Sequence, residues 1–257
     1  MRVRHASARG SGESNEDIVL AADDVTVVLD GVSQWYTKES GCRHGTVWYV
    51  ERLAGRILDR AADPVPLTEA VGRAIGDVAG LHRDTCDLTH PFGPAATVAV
   101  LRERADEVDY LIVADCVIVV QTDESVTALT DLRLARLLDR LRRPDASAQE
   151  RSHLRDGLQR LRNRPDGYWV AMADPEIAAH AVTGSFARDK IRRAAVLTDG
   201  ASCLVDDYGQ ATWEQLLDLG PCGLIDEVRR CERGDPDRVR WRRGKVHDDA
   251  TAAFCEF

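Results

Sequence analysis

The chain has 257 residues, 44% of them apolar and 30% charged, which is enough to bury a full-sized core and too apolar for a disordered protein. Its 34 lysines and arginines against 43 aspartates and glutamates give a formal charge of −9, which argues against whole-chain attraction to nucleic acid or an anionic membrane. The longest apolar stretch, residues 110–120, is short and broken by Asp115, and no apolar core follows the basic start, so neither a membrane span nor a signal peptide is expected.

Seven cysteines, at 42, 86, 116, 203, 222, 231 and 255, form no C-x-x-C pair and leave an odd number for disulfides. They read as reduced, mostly buried thiols in a cytoplasmic protein. Lysine occurs only at 38, 190 and 245, so nearly all positive charge is arginine.

In chain order, two β-type runs at 18–22 and 25–30 flank Asp23-Asp24 and read as paired strands. Helical periodicity follows at 47–61, with Leu53, Ile57 and Leu58 on one face, and at 67–81, opened by Pro66. Residues 96–102, 110–114 and 117–121 read as three strands in quick succession. Helices are expected at 129–141, rich in Leu132, Leu134, Leu137, Leu138 and Leu141, and at 149–161, their arginines on solvated faces. Strands at 168–172 and 193–197, helices at 213–219 and 224–231, and a last strand over "ATAAFCEF" complete the pattern. Strands and helices come in groups and do not alternate strictly, which points to antiparallel sheet under helices in one domain spanning 1–257.

Several apolar runs end in aspartate: "VVLDG" at Asp30, "VLTDG" at Asp199, and "HDDAT" with Asp248 and Asp249 before the last strand. "SNED" sets Asn15, Glu16 and Asp17 at the entrance to an early strand, and Asp115 interrupts two apolar strands. Each is an ordinary turn or cap when taken alone, and Asp-Gly in particular is a hairpin signal. Together they are carboxylates on rigid elements, which repel one another unless a cation sits between them. All-oxygen donors without convergent histidine or thiolate favour Mg²⁺ or Mn²⁺.

The order "NED", strand-"DG", a small-residue strand with Thr97, "AD" before an apolar strand, "TDG" and "DDAT" resembles the PPM, or type 2C, metal-dependent serine/threonine protein phosphatases, from Asn15 to Phe257. The resemblance implies a divergent bacterial member with an α+β fold, a four-layer α/β/β/α sandwich of two antiparallel sheets flanked by helices, with metals at one end. It implies Asp30 bridging two Mn²⁺ or Mg²⁺ ions, Glu16 and the Gly31 carbonyl on the second ion, and Asp199 and Asp248 on the first. Asp115 with Asp199 matches a third-metal position, while Asn15, Asp17 and Asp249 stand behind the ligands. The implied reaction is hydrolysis of phosphoserine or phosphothreonine on a protein by hydroxide bridging the two metals, with Asp30, Asp199 and Asp248 carrying the catalytic centre.

The chain also departs from that pattern. Gly12 stands where the family carries a phosphate-binding arginine, leaving Arg9 or Arg4 of the N-terminal segment as candidates. Val32, Ser33 and Gln34 follow Gly31 in place of a Gly-Gly or His-Gly-Gly, and the usual Gly-Asp-Ser is Ala114-Asp115-Cys116. The alternative is a weak or inactive pseudophosphatase that binds a phosphoprotein or partner. The basic run 238–245 with Trp241 reads as a solvated arm or docking surface before a nucleic-acid contact, Trp169 as core, and His247 equally as proton donor or structural histidine.

Overall fold

The apolar runs become strands buried on both faces, because each of two sheets packs against the other on one side and against helices on the opposite side. The computed structural model describes residues 1–33, 40–141 and 157–257. In order they form β1 (Arg2–Ala8), β2 (Asp17–Ala21), β3 (Val25–Gly31), α1 (Gly45–Ala61), α2 (Leu67–His82), β4 (Ala96–Glu103), β5 (Glu107–Val113), β6 (Val117–Thr122), β7 (Val126–Leu129) and α3 (Arg133–Leu141). Then follow β8 (Val182–Ala187), β9 (Ile191–Leu197), α4 (Asp199–Asp206), α5 (Trp213–Arg233) and β10 (Ala250–Glu256).

One sheet has the order β1-β10-β9-β6-β7 and the other β2-β3-β4-β5-β8, every pair antiparallel. The two-residue period of a strand sorts the side chains into layers. Val27 and Leu29 of β3 and Val98 and Val100 of β4 meet Leu53, Ile57 and Ile75 of α1 and α2. Val28, Ala99, Ile118, Val196 and Ala253 fill the space between the sheets. Leu197, Ala252 and Phe254 meet Leu204 of α4 and Leu224 and Val228 of α5. This is the four-layer α/β/β/α sandwich that the motif resemblance implies. No helix among the described residues is long and apolar enough to cross a membrane.

Several local expectations change. β1 and β8 went unread because both are sheet edges with more exposed than buried positions, so neither carries an apolar run. The segment at 129 begins as strand: β-branched Val126 and Thr127 pair with β6, and α3 starts only after Asp131, whose Oδ1 accepts from the Arg133 backbone N–H at 3.0 Å. Residues 149–156 of the expected helix at 149–161 lie outside the described residues, and 157–161 are helical. Residues 168–172 make only isolated bridges, Ala171 with Ala96 and Tyr168 with Arg162. The two helices at 213–219 and 224–231 are parts of α5, which opens on a Thr212–Gln215 capping box and breaks where Gly220 takes φ 67° ahead of Pro221. Asp199 heads α4 and not a turn.

β5 lies in one sheet and β6 in the other, and Ala114-Asp115-Cys116 alone makes the crossing. Ala114 turns the corner at φ 64°, a left-handed conformation that costs an alanine about 1–2 kcal/mol relative to glycine. It is 1% exposed, so its methyl recovers about 0.8 kcal/mol by burial. Ala114→Gly should therefore leave the unfolding free energy measured in urea within about 1 kcal/mol of the parent, and Ala114→Val should lower it by about 2 kcal/mol or more, because a β-branched side chain is excluded from that conformation.

Candidate metal centre

Strand register gathers the acidic residues. Asp17 opens β2 directly opposite Asp30 of β3, and Asp30 is opposite Thr97 of β4. Asp30 shares its face with Val28, so it points between the sheets. In the second sheet Leu197 pairs with both Val117 and Ala252, so the residues just beyond those strand ends, Asp199, Asp115 and the Asp248-Asp249 pair, arrive at the same edge. The sites that the sequence scatters over more than two hundred positions thus share one end of the sandwich.

The aspartates feel one another strongly. Burial, then the charges of Asp199, Asp17, Asp115 and Asp248, hold Asp30 well above the usual carboxylate range. Burial raises Asp199 in the same way, with Asp115, Asp248 and Asp17 adding to it and Lys245 opposing. Asp115 is raised by burial and by Asp131 and Asp248. Asp17 is 8% exposed and is pushed up to about 7, chiefly by burial, with Asp249 and Asp248 adding and hydrogen bonds from Thr251 and Thr198 resisting. Asp199, crowded by the other acids, nonetheless keeps part of its surface in solvent at the first turn of α4, so water reaches the cleft.

Other groups hold this arrangement in place. Asp249 accepts from the backbone N–H of Gly10 at 2.7 Å and of Glu16 at 2.8 Å, tying the β1–β2 crossing to the entrance of β10. Gly10 has to be glycine there, because a Cβ would sit 2.4 Å from the Asp248 carbonyl carbon. Asn15 Oδ1 accepts from the Asp17 N–H at 3.1 Å, and the Thr198 hydroxyl donates to Asp17 Oδ2 at 2.9 Å. Asp17 Oδ1 is buried without a partner. The Gly31 N–H donates to the Glu16 carbonyl at 3.0 Å, and a Cβ on Gly31 would lie 2.5 Å from Thr46 Cγ2 of α1. Only a glycine admits that approach.

Arg9 is turned elsewhere: its Nη1 donates to the Glu13 carbonyl at 2.7 Å. Among the described residues the side-chain cation that hydrogen-bonds to a carboxylate of this cluster is Lys245, notable in the sequence only for the scarcity of lysine. Its Nζ donates to Asp248 Oδ1 at 2.5 Å and to Ser33 Oγ at 2.9 Å, and Ser33 in turn donates to Glu16 Oε2 at 2.6 Å. Burial alone would lower the Lys245 pKa, but the hydrogen bond and charge of Asp248, followed by Asp30 and Asp249, outweigh it and raise it. Val32-Ser33, where the sequence leaves the family pattern, is thus wired to Glu16; Gln34 lies outside the described residues. Asp131, buried at 4% and paired with Arg133, is a further acid near Asp115 that the apolar helical pattern around it concealed. His247 Nδ1 lies 2.8 Å from Glu232 Oε2, which occupies it as a structural group. Arg238–Lys245 is folded, not a free arm: Asp235 accepts from the N–H groups of Val239, Arg240 and Trp241 and pairs with Arg243, and Trp241 rests on Tyr208. Trp169 is buried and stacks on His180, as core.

The donor set fits a hard divalent cation: several carboxylates held above their ordinary pKa by burial and mutual repulsion, with one buried oxygen unpartnered. The same repulsion sets a pH dependence. The Asp17 value of about 7 in the folded protein lies above about 3.9 in the unfolded chain, so the fold binds more protons than the unfolded state between those limits. Stability of the metal-free protein is therefore greatest at or below pH 4 as far as this group is concerned, and is lost as pH rises through 7. Thermal melts of chelator-treated protein should fall from pH 5 to pH 8, and Asp17→Asn should flatten that fall and melt higher than the parent at pH 8. An unchanged slope in the variant would show that Asp17 is ionised throughout.

No family model matches the chain, and no curated protein sequence matches it. Solved structures do. The catalytic domain of the serine/threonine protein phosphatase PstP in complex with two manganese ions superposes with a TM-score of 0.59 at 17% identity, covering 99% of this chain and 97% of that one. The Mycobacterium tuberculosis serine/threonine phosphatase PstP/Ppp gives 0.60 at 16% identity, covering 100% and 98%. The PPM Ser-Thr phosphatase MsPP from Mycobacterium smegmatis, in complex with cacodylate, gives 0.55 at 18%, covering 100% and 98%. Over its whole length the chain has the fold of the PPM-type serine/threonine phosphatases.

Proposed function

We propose that the chain is a divalent-metal-dependent phosphatase that hydrolyses phosphoserine or phosphothreonine on protein substrates. The observation that carries the reading is the convergence of Asp30, Asp199, Asp248, Asp115 and Glu16 at one open end of the sandwich, where their repulsion calls for cations. In this reading two Mn²⁺ or Mg²⁺ ions would be held by these groups, with Asp30 common to both, Glu16 and the Gly31 carbonyl for the second, and Asp199 and Asp248 for the first. Asp115 with Asp199 offers a place for a third. Bound there, such ions lower the pKa of a coordinated water and neutralise phosphoryl charge. Asn15, Asp17 and Asp249 fix the backbone and carboxylates from behind through the hydrogen bonds described above. The seven free cysteines agree with a reducing, cytoplasmic setting.

Lys245 takes the task that the missing arginine leaves open. Its ammonium is rigidly placed by Asp248 and Ser33 beside the acidic cluster, where it can hold a substrate phosphate oxygen as a point charge. The same ion pair favours a second reading, a pseudophosphatase in which the ammonium offsets Asp248 in place of a metal and the cleft only binds a phosphoprotein.

Hydrolysis of an aryl phosphate and of a phosphopeptide, followed with and without Mn²⁺, separates the two. The expected result is activity that chelator abolishes, a loss of about 100-fold or more in kcat for Asp199→Asn, and a KM raised about tenfold for Lys245→Met with Mn²⁺ saturating. Turnover indifferent to chelator would sink the metal mechanism. Metal binding without turnover, with Lys245→Met binding Mn²⁺ more tightly than the parent, would give the second reading precedence.

A further inference from the structure

Away from the acidic cleft, two segments distant in sequence bring four soft donors together. Cys42 and His44 lie just ahead of α1, and His82 and Cys86 lie on the last residue of α2 and the turn beyond it. One donor atom from each, two sulfurs and two imidazole nitrogens, all fall within 4.8 Å of one another. The contacts are Cys42 Sγ to His44 Nδ1 at 3.6 Å, Cys42 Sγ to His82 Nδ1 at 3.5 Å, Cys86 Sγ to His44 Nδ1 at 3.4 Å, and Cys42 Sγ to Cys86 Sγ at 3.2 Å.

Those four separations are close to edges of a coordination tetrahedron, and the other two lie within the 4.8 Å that spans the set. Zinc bonds of about 2.3 Å to sulfur and about 2.0–2.1 Å to nitrogen place sulfur and nitrogen about 3.5 Å apart and two sulfurs about 3.8 Å apart. The three sulfur–nitrogen edges already have that length, and the sulfur pair needs to open by about half an ångström. It is also too far apart for a disulfide, whose bond is about 2.05 Å. All seven cysteines are free thiols.

His82 is poorly served at the atom that faces the cluster. The residue is 3% exposed, and its Nδ1 meets the thiol of Cys42 at 3.5 Å. Thiols are weak hydrogen-bonding groups, so the protein by itself compensates this buried nitrogen poorly. A metal bond to Nδ1 would replace that weak contact, with the ring proton then on Nε2. The surroundings are those of a closed structural site: Trp48 stacks on His44 with ring centroids 4.3 Å apart and lies 5.1 Å from His82, and Asp87 N–H donates to the Gly41 carbonyl at 2.8 Å, fastening one ligand loop to the other.

We propose that Cys42, His44, His82 and Cys86 bind one structural zinc ion. Two thiolates and two imidazoles in tetrahedral array select zinc over the hard cations suited to the aspartates, and four protein ligands leave no open position for chemistry. Its task follows from position. The ion would pin the segment before α1 to the end of α2, two helices that otherwise meet through their apolar faces, at the point where the chain returns from Ser33 and the acidic cleft. Thr46, two residues after His44, packs against Gly31, so the zinc clasp would fix the helix end against which the cleft is built. Binding releases two thiol protons and takes no electron.

The test is metal content and spectroscopy on the full chain, independent of any phosphatase activity. Protein purified under reducing conditions without chelator should carry one zinc per chain, keep it when the carboxylate cleft is disabled by Asp199→Asn, and release it when its thiols are modified by a mercurial. Replacement of zinc by Co²⁺ should give intense visible d–d bands with a near-ultraviolet thiolate-to-cobalt charge-transfer band, lost in Cys42→Ser and Cys86→Ser and kept in Cys222→Ser, whose thiol is exposed elsewhere. Because the first two variants can also fail by misfolding, the wild-type cobalt spectrum decides. Absence of that band in folded, reduced wild type, a Cys42–Cys86 disulfide that excludes zinc, or iron with sulfide in place of zinc would each overturn the proposal.

Discussion

The structure turns on like charges brought to one place by strand register. Nothing in β3 requires an aspartate at position 30 for the strand to form, and its neighbours Val28 and Leu29 are fully buried. The pairing that buries them also sets Asp30 opposite Asp17, and the sheet facing it delivers Asp199 and the Asp248-Asp249 pair to the same edge. Burial of one unpaired carboxylate already costs several kcal/mol, and neighbouring ones raise that cost further. A fold that keeps such a set intact stores unfavourable electrostatics, which a bound cation would offset.

The local architecture makes sense as support for that edge. The chain passes between sheets twice next to it, at residues 9–16 and at Ala114-Asp115-Cys116, and both crossings are tightly held. Asp249 gathers the first by two backbone N–H groups. The second is turned by Ala114 at positive φ, while the Cys116 thiol and the Thr97 hydroxyl meet at 2.9 Å beneath it. Lys245 and Ser33 then tie the far side of the cleft to Glu16. The acids sit on short, pinned connections, which gives them less freedom to drift apart than long loops would allow.

Much of this was legible in the sequence because strand cores write themselves as unbroken apolar runs, and a carboxylate that ends one is conspicuous. Asp30, Asp199 and the Asp248-Asp249 pair fall in that class; the grouping of strands and helices pointed to antiparallel sheet under helices, and the motif resemblance supplied the four-layer sandwich. What was not legible has a physical reason in each case. β1 and β8 are edges, so half or more of their side chains face water and no apolar run appears. Lys245 sits in a basic stretch whose other members fold around Asp235, and only the tertiary structure separates its role from theirs. Asp131 lies between two apolar segments and looks like a helix cap, which it also is.

The Cys/His cluster was missed for a different reason. A sequence search for zinc looks for two ligands close together in a familiar spacing, and here the pairs are Cys-x-His and His-x₃-Cys, each unremarkable and separated by two helices. The all-oxygen argument concerns only the cleft of the aspartates, because donor softness is a local property. It does not extend to the chain as a whole. α1 and α2 pack in antiparallel fashion, which returns the end of α2 to the start of α1, and that single topological fact gathers four scattered residues into one cluster. Hard donors at the strand ends and soft donors at the helix ends divide the molecule into two chemically distinct regions, joined through Thr46 and Gly31 where the first turn of α1 meets the end of β3.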